Sequence, residues 1–336
     1  MGRLKLIDGL RGVAAMMVVL YHLMGRTSAA RFSSWGYLGV GIFFVLSGFV
    51  IASVVGDQKI SASYLGRFAA RRAVRLDIPY WLNIGLVIVV GVMIGRHYST
   101  TQVMSHLFYL QELAGFTELN PAYWTLCFEI QFYLALILLI WACQRTRQTV
   151  FSWVLLLTVF LSALTNAGLL GIPRGTMFAY WWAFGLGTIT YWTIEGNLRL
   201  RYLMATAALI ILIPRASHVE WRVVALLTAA LLVAASRLNA MGRWLADPVA
   251  QFMGRISYSL YLIHPLVGWI LQSFVARHAN QYIALLAGIS ASILSAWACY
   301  LWIERPATRL SHRITLSPTV RSRPAASPRD RSLTVS

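Results

Sequence analysis

Ten apolar blocks of helix length divide this chain, and they constrain its fold more than any other feature. A helix needs about 20 apolar residues to cross the hydrocarbon layer of a membrane. Only 12% of the 336 residues are charged, against about 25% in a soluble domain. We therefore predict an all-α integral membrane protein with about ten transmembrane helices. The blocks lie near residues 6–24, 37–56, 78–95, 122–142, 150–171, 176–193, 200–213, 221–236, 256–276 and 281–303.

The basic residues between these blocks predict how the chain crosses the membrane. If the amino terminus is cytoplasmic and ten helices alternate in direction, most of the 29 Lys and Arg residues fall in cytoplasmic segments. Cytoplasmic loops of membrane proteins carry such an excess, so we expect both termini in the cytoplasm. The basic residues form no stripe interleaved with aromatic residues, and the net charge of +18 therefore does not indicate nucleic-acid binding.

Composition also divides the chain into two parts. Residues 311–336 are rich in Ser, Pro and Arg and contain few apolar residues, which is typical of a disordered segment. We predict a transmembrane domain over residues 1–310 and a basic, disordered cytoplasmic tail over residues 311–336. Residues 97–121 form the longest outward-facing connection, and we expect a short interfacial helix there, over the functional site.

The cysteines and several small residues are interpreted as packing residues. Cys127, Cys143 and Cys299 lie inside apolar blocks, without the close spacing of a metal site or a disulfide framework, so we predict no metal. Cys127 has no activating base beside it in the sequence, which argues against a covalent acyl carrier. In the second block, Ser47 and Gly48 offer a small surface at which helices can pack closely.

The first block, Leu6–Met24, carries three polar residues that a membrane helix normally avoids: Asp8, Arg11 and His22. Ionisable groups at membrane depth are costly and usually mark a functional site. Arg11 and His22 are close to three helical turns apart, so both side chains leave one face, about 16 Å apart along the axis. The helix therefore presents a cation near one membrane interface and a titratable base deep inside.

A cluster of arginines precedes the third block. Arg67, Arg71, Arg72 and Arg75 are followed by Pro79, which we expect to begin a helix at the cytoplasmic mouth of that span. Guanidinium groups bind phosphate through two parallel hydrogen bonds, so this cluster suits a phosphate clamp. The alternative is an orientation signal whose side chains contact lipid headgroups. The residues alone leave both readings open.

Further ionisable residues lie inside or beside later blocks. Glu129 in the fourth block needs a partner at membrane depth, and Arg11 or a histidine is the expected one. His264 in the ninth block either bonds a neighbouring helix or takes part in chemistry. Glu304 lies at the inner boundary of the tenth block, where an exposed carboxylate is common. Trp124, close to Glu129, is either an interface anchor or part of a site.

Six motifs occur in order along the chain and together carry a family resemblance. They resemble those of the membrane acyltransferase-3 family, whose bacterial members O-acylate O-antigen, exopolysaccharides, Nod factors, macrolides and related molecules. The resemblance covers nearly the whole chain. The motifs are DGLRGVAA with a later histidine (Asp8–His22), FFVLSGFVI (Phe43–Ile51), RRAVRLDIPYW (Arg71–Trp81), WTLCFEIQFY (Trp124–Tyr133), ISYSLYLIHP (Ile256–Pro265) and WIERP (Trp302–Pro306).

The resemblance implies a donor, an acceptor and a location. The donor is acyl-CoA, most simply acetyl-CoA, which serves as a cytoplasmic co-substrate, and no cofactor is bound permanently. The acceptor is a hydroxyl of a cell-surface or exported carbohydrate, or of a related small molecule. The chain is then expected in the bacterial cytoplasmic (inner) membrane, crossing the lipid bilayer many times.

The resemblance also assigns roles to residues. The family's Arg–His pair matches Arg11 and His22, and its R-x-x-R element matches Arg72 and Arg75, whereas Asp77 replaces an aromatic residue common in the family. His22 is then the general base, and Arg11 orients the pantetheine arm or stabilises the oxyanion. Glu129 is the third catalytic candidate, Arg71, Arg72 and Arg75 hold the phosphates of CoA, and supporting roles are implied for Asp8, Trp124, Tyr261, His264 and Glu304.

Alternatives to the enzyme remain at this point. Arg11 could simply pair with Asp8 or Glu129 as a structural contact. A proton-coupled transporter or flippase could use buried Arg, His and Glu side chains as a proton relay, although it has no evident need for a cytoplasmic arginine cluster. A structural membrane scaffold leaves the buried charges without a purpose. The acceptor, the acyl chain and the oligomeric state do not follow from the sequence.

Overall fold

The computed structural model describes residues 4–28, 30–56, 60–146, 148–173, 175–212 and 219–316, and this part of the chain is helical, without strands. Short 3₁₀ turns and one π-helical turn, Tyr300–Glu304, join the α-helices. The α-helices of the described part are α1 (Lys5–Met24), α2 (Ala30–Ser33), α3 (Gly39–Val55), α4 (Ala62–Met93), α5 (Thr100–Leu107), α6 (Gln111–Ala114), α7 (Tyr123–Cys143), α8 (Gln148–Asn166), α9 (Trp181–Ile194), α10 (Leu200–Leu212), α11 (Val219–Arg237), α12 (Pro248–Val275), α13 (Gln281–Cys299) and α14 (Arg305–Ser311).

Every predicted apolar block contains one of these helices, which confirms an all-α, multi-pass membrane protein. In the described ranges, 7 helical segments are long and apolar enough to cross a membrane. Helices α8, α9 and α10 are not among these segments, so the count of ten spans and the orientation of the termini stay predictions. The seven segments are Lys5–Met24, Ala30–Val55, Ala62–Met93, Tyr123–Cys143, Val219–Arg237, Pro248–Val275 and Gln281–Ser311.

Helix α4 corrects one expectation about the arginine cluster. The prediction that Pro79 begins the third span was wrong, because Pro79 lies inside the 32-residue helix α4. The helix starts earlier, at Ala62, where the side chain of Ser61 accepts a hydrogen bond from the Tyr64 amide at 3.2 Å. This contact satisfies one of the free N–H groups of the first turn. The arginines therefore project from a continuous helix, and Arg72 and Arg75 face the interior of the bundle.

Helices α1 and α12 pack closely because glycines face each other at their crossing. A methyl group at Gly254 would collide with the carbonyl of Asp8, and one at Gly12 would collide with the backbone of Gly254. Near the other end of α1, the Gln272 side chain donates to the Leu23 carbonyl at 3.0 Å. The two helices therefore run side by side from the level of Asp8 to the end of α1.

Helices α3 and α9 approach each other in the same way. A methyl group at Gly48 would collide with the Phe184 carbonyl, and one at Gly187 would collide with the Val45 carbonyl. The predicted packing role of Gly48 is thereby confirmed. The residues of α9 from Trp181 to Trp192 are all buried, so α9 forms the centre of one half of the bundle and fixes the position of α3 beside α7.

Residues 97–121 contain helices α5 and α6, which confirms the predicted short helix in this connection. Two hydrogen bonds anchor this connection to α4. The Trp81 indole donates to the Leu107 carbonyl at 3.0 Å, and the Tyr109 hydroxyl donates to Asp77 at 2.9 Å.

At the carboxyl end of the chain, α14 finishes at Ser311, the first residue of the predicted tail. Residues 317–336 lie outside the described residues.

Candidate active site

A cavity lies within the bundle, between helices α1, α3, α4, α7 and α12. Its volume of about 100 Å³ exceeds the roughly 10–15 Å³ that a single water needs. We call it the inner cavity, because it lies toward the end of the bundle where α1, α4 and α12 begin, the end predicted to face the cytoplasm. Its polar lining comprises Arg11, Ser47, Arg72, Arg75, Thr125, Glu129, Tyr133, Ser257, Tyr258 and Tyr261.

Three arginines meet in the inner cavity although they come from two helices. Arg11 of α1 faces the same space as Arg72 and Arg75 of α4. Within the described part of the chain, none of the three lies within ion-pair distance of a carboxylate. The guanidinium group of Arg72 instead lies over the ring of Tyr133, 4.6 Å from its centroid. Positive charge therefore exceeds negative charge on the cavity wall, which favours an anionic ligand.

Glu129 is the carboxylate of this cavity, and its direct partners are hydroxyl groups. Ser47 donates to Glu129 Oε1 at 2.8 Å, and the Tyr133 hydroxyl donates to the same oxygen. The expectation that Arg11 or a histidine would be its direct partner was wrong. A carboxylate that already accepts two hydrogen bonds can stay in the cavity without a salt bridge. Ser47, read from the sequence as a packing residue, thus belongs to the site.

Glu304 lies beside the cavity rather than on its wall. The amide and the hydroxyl of Ser259 donate to Glu304 Oε2, at 3.2 and 2.6 Å, and only 7% of the residue is exposed. The positive charges of Arg11 and Arg75 act on this carboxylate. The π-helical turn that carries Glu304 precedes Pro306, which has no N–H to continue the helix. Such turns are frequent at functional sites.

The arginine cluster divides between two environments. Arg72 and Arg75 face the inner cavity, whereas Arg71 points elsewhere and donates to His312 Nδ1 at 2.9 Å. Asp77, which departs from the family pattern, accepts a hydrogen bond from Tyr109 and does not line the cavity. The two arginines that match the R-x-x-R element, Arg72 and Arg75, are therefore the two arginines of α4 that line the inner cavity.

The two histidines inside the membrane form a pair. His22 Nδ1 lies 2.9 Å from His264 Nε2, and the two rings stack with centroids 5.1 Å apart. His264 Nδ1 lies 2.9 Å from the carbonyl oxygen of Leu260, which can only accept, so this nitrogen carries a proton. In a neutral His264, Nε2 then accepts the proton of His22 Nδ1. His22 Nε2 is left with a free lone pair, as a general base requires.

Tyr261 connects the inner cavity to this pair. Its side chain lines the cavity, its hydroxyl bonds the Thr125 hydroxyl at 2.7 Å, and its ring centroid lies 6.2 Å from that of His264. A single aromatic ring therefore separates the cavity from the histidines. The sequence indicated that His264 lies inside a membrane helix, but nothing in the sequence indicated its contact with His22.

Two other candidates lie outside the cavity. Trp124 packs against Phe44 and Tyr180, with ring centroids 6.4 and 5.7 Å away, in an aromatic cluster behind the cavity wall. Asp8 lies at the crossing of α1 and α12. Cys127 bonds the Tyr109 carbonyl and Gln131 and does not line the cavity, which agrees with its interpretation as a packing residue.

Comparison with known proteins identifies the family. A family model described as an acyltransferase domain matches residues 4–302. The chain belongs to the membrane acyltransferase-3 family. The predicted family is thereby confirmed, and with it the assignment of the chain to the acyltransferases rather than to transporters. No solved structure matches the chain.

Several curated proteins are similar along most of the chain. Peptidoglycan O-acetyltransferase OatA of Listeria monocytogenes is 26% identical over 88% of this chain, which spans only 44% of that protein's length. Nodulation protein 10 of Rhizobium leguminosarum bv. viciae is 24% identical, covering 81% of this chain and 82% of its own. The putative membrane-bound transacylase BcsY of Komagataeibacter xylinus is 25% identical, and the match covers 95% of this chain and 86% of that protein.

Proposed function

We propose that this protein transfers an acyl group, most simply acetyl, from cytoplasmic acyl-CoA to a carbohydrate hydroxyl at or beyond the outer side of a bacterial inner membrane. The observation that carries the proposal is the excess of arginine in the inner cavity, which Tyr261 separates from the histidine pair that contains His22 with its free lone pair. The first feature suits an anionic donor and the second suits deprotonation of a hydroxyl. A proton relay would not need the excess of arginine.

The donor enters from the end of the bundle where α1 and α4 begin. Arg72 and Arg75 hold a phosphate of CoA, because guanidinium groups bind phosphate bidentately. Arg71 is held by His312 outside the cavity, so we assign it at most a contact with the outlying phosphates. The pantetheine arm then passes Arg11 and Glu129 and brings the thioester toward Tyr261.

His22 performs the proton transfer. The acceptor oxygen attacks the thioester carbonyl carbon while His22 Nε2 takes the hydroxyl proton. A C–O bond forms and the C–S bond breaks, and the leaving thiolate then receives the proton from His22 to give CoA. His264 keeps the proton of His22 on Nδ1 and so fixes the reactive nitrogen. Arg11 lines the cavity about three helical turns from His22, so we assign it to the pantetheine arm of the donor rather than to the carbonyl oxygen under attack.

The relatives support the class of acceptor and the acyl group. One is named for the O-acetylation of peptidoglycan, and another is named a transacylase. Because this chain spans less than half of the peptidoglycan enzyme, we carry over only the chemistry of the shared segment. We therefore propose O-acetylation of a carbohydrate hydroxyl without naming the glycan.

The experiment uses the full chain in nanodiscs with radiolabelled acetyl-CoA. Acetyl-CoA binding is measured by isothermal titration, and label transfer is followed into a glycan fraction from bacterial envelopes. Binding below about 1 mM, the usual upper range of substrate affinities, together with transfer to base-labile ester, is the expected result. Absence of both binding and transfer would overturn the proposal.

A further inference from the structure

A second opening lies at the other end of the bundle, where α4 and α12 finish. Its volume of about 480 Å³ is within the roughly 300–1,000 Å³ of small-molecule sites. It shares no lining residue with the inner cavity, and we call it the outer groove. It is lined by Val87, Val90, Gly91, Ile94, Arg96, Tyr98, Leu119, Asn120, Pro121, Pro265, Leu266, Trp269, Ile270, Ser273, Phe274 and Arg277.

The walls of the outer groove are apolar and open to the side. Ile94 follows α4, and Ile270 and Phe274 belong to α12; they are 66%, 50% and 59% exposed. Both helices are long and apolar enough to cross a membrane, so exposed apolar side chains at their ends contact lipid chains. A hydrocarbon chain can therefore enter the groove directly from the bilayer.

The rim of the outer groove is positively charged. Arg96 follows the end of α4, and Arg277 follows the end of α12. Both are exposed and line the groove, and neither pairs with a carboxylate among the residues that the structure describes. None of the acidic residues in the described ranges lines the groove. Two free guanidinium groups at the end of two membrane helices suit a phosphate at headgroup level.

The floor of the outer groove adjoins the histidine pair. Pro265 and Leu266, which line the groove, directly follow His264 in α12. Trp269 also lines the groove, and its ring meets that of His22 edge-on, with centroids 6.1 Å apart. In the described part of the chain, the buried Trp269 indole N–H has no hydrogen-bond partner. It is therefore available to a polar group that passes from the groove to His22.

From this arrangement we infer that the acceptor is carried by a lipid phosphate bound in the outer groove. The hydrocarbon chain lies between α4 and α12, the phosphate lies at Arg96 and Arg277, and the hydroxyl-bearing group reaches His22 past Trp269. This inference rests on the proposed function. A site for bulk phospholipid does not need to reach the histidine pair. A site for the acceptor must reach it, because His22 takes the proton of the acceptor hydroxyl.

The test uses photoreactive lipids and the full chain in phosphatidylcholine nanodiscs. The probe is a long-chain alkyl phosphate with a diazirine in its chain, and the comparison probe is the corresponding neutral alcohol. Labelled residues are mapped by mass spectrometry in the wild type and in Arg96→Gln/Arg277→Gln. The matched control is Arg31→Gln, since Arg31 is an exposed arginine that follows α1 and does not line the groove.

We expect the phosphate probe to label groove residues of α4 and α12 and the alcohol to label them several-fold less. The double variant should lower labelling by the phosphate probe about tenfold, a typical loss for charged hydrogen bonds, and raise the KM for the acceptor in an envelope extract. Arg31→Gln should change neither quantity.

Three results would overturn the inference. The first is equal labelling of the groove by the neutral alcohol and the phosphate probe. The second is labelling by the phosphate probe that is the same in the double variant as in the wild type. The third is full displacement of the phosphate probe by phosphatidylglycerol, which would indicate a site for bulk lipid. Acetyl-CoA binding is measured on the same preparation. If the wild type does not bind acetyl-CoA, the proposed function fails and the acceptor role fails with it. If acetyl-CoA binds but labelling is independent of phosphate, only the lipid-phosphate inference fails.

Discussion

His22 Nδ1 and His264 Nε2 lie 2.9 Å apart although 242 residues separate them in the chain. Because His264 Nδ1 faces a backbone carbonyl, this contact determines which nitrogen of His22 remains basic. The pair belongs to the two helices that cross at facing glycines. The close packing of α1 on α12 therefore supplies an acceptor for the His22 Nδ1 proton from a second helix.

His264 is expected to act as a positioning residue. His264→Phe removes the acceptor for the His22 Nδ1 proton, so kcat should fall by about 10²–10⁴, the usual contribution of a positioned base. The KM for acetyl-CoA should change little, because the donor cavity is intact. Steady-state kinetics on purified protein measure both quantities. The control is His97→Ala, an exposed histidine outside the inner cavity; an equal loss there would contradict a special role for the pair.

Arg72 and Arg75 are expected to bind the donor, unlike their neighbour Arg71. Arg72→Gln/Arg75→Gln should weaken acetyl-CoA binding by about a hundredfold or more, since each charged hydrogen bond contributes about 1.5–3 kcal/mol. Arg71→Gln, which removes the contact with His312, should weaken it far less. Isothermal titration measures both affinities. The assignment is wrong if Arg71→Gln has the larger effect.

Glu129 is expected to act through its charge. In Glu129→Gln the side-chain oxygen still accepts hydrogen bonds from Ser47 and Tyr133, so the thermal unfolding midpoint should hardly move. The charge beside the arginines disappears, and we expect kcat to fall at least tenfold, about 1.4 kcal/mol. The control is Glu195→Gln, at an exposed position. Unchanged turnover in Glu129→Gln would remove Glu129 from the catalytic residues.

The crossing of α1 and α12 should tolerate no side chain at Gly254. Gly254→Ala places a methyl group against the Asp8 carbonyl and should cost about 1–3 kcal/mol of stability, as overpacking usually does. Gly66→Ala is the matched control, because Gly66 is also helical but has open space around it. It should be neutral or stabilising by up to about 1 kcal/mol. Thermal unfolding in detergent distinguishes the two, and equal stability would contradict the described crossing.

Residues 100–118 should become less stable as the pH rises. Burial and the neighbouring Glu118 carboxylate raise the pKa of Glu112 from 4.5 to about 7, and His106 opposes the shift. A raised carboxyl pKa favours the protonated folded state, so its ionisation destabilises the fold progressively between about pH 4.5 and pH 7.

The measurement for this segment is hydrogen exchange, corrected for the intrinsic effect of pH on exchange rates. Amides of α5 and α6 should exchange faster at about pH 8 than at about pH 5. Glu112→Gln should abolish the difference. A pH dependence that persists in Glu112→Gln would contradict this role of Glu112.

The sequence predicted the elements of this fold better than their contacts. Apolar length alone located a helix in every predicted block. The extension of α4 through Pro79 was missed, because the preceding polar turns carry no apolar signal and are held by tertiary packing. Helices α9 and α10, of 14 and 13 residues, show why counting apolar blocks does not settle the number of spans, because burial inside the bundle also selects apolar residues.

The candidate residues were predicted individually, whereas their partners were not. Arg11, Arg72, Arg75 and Glu129 share a cavity that helical spacing within one segment cannot reveal. Ser47 was taken for packing because a hydroxyl inside an apolar block gives no sign of the carboxylate that it meets. The histidine pair depends on the register between α1 and α12, which is set by Gly12 and Gly254, about three helical turns from the pair.

The central claim is that the arginine cavity binds the donor and that His22 performs the chemistry. The most direct test compares acetyl-CoA affinity and single-turnover release of CoA in the wild type and in His22→Ala, both in nanodiscs with envelope glycan as acceptor. We expect unchanged acetyl-CoA affinity in His22→Ala and CoA release slowed by at least about a hundredfold. CoA release at the wild-type rate in His22→Ala would contradict the central claim.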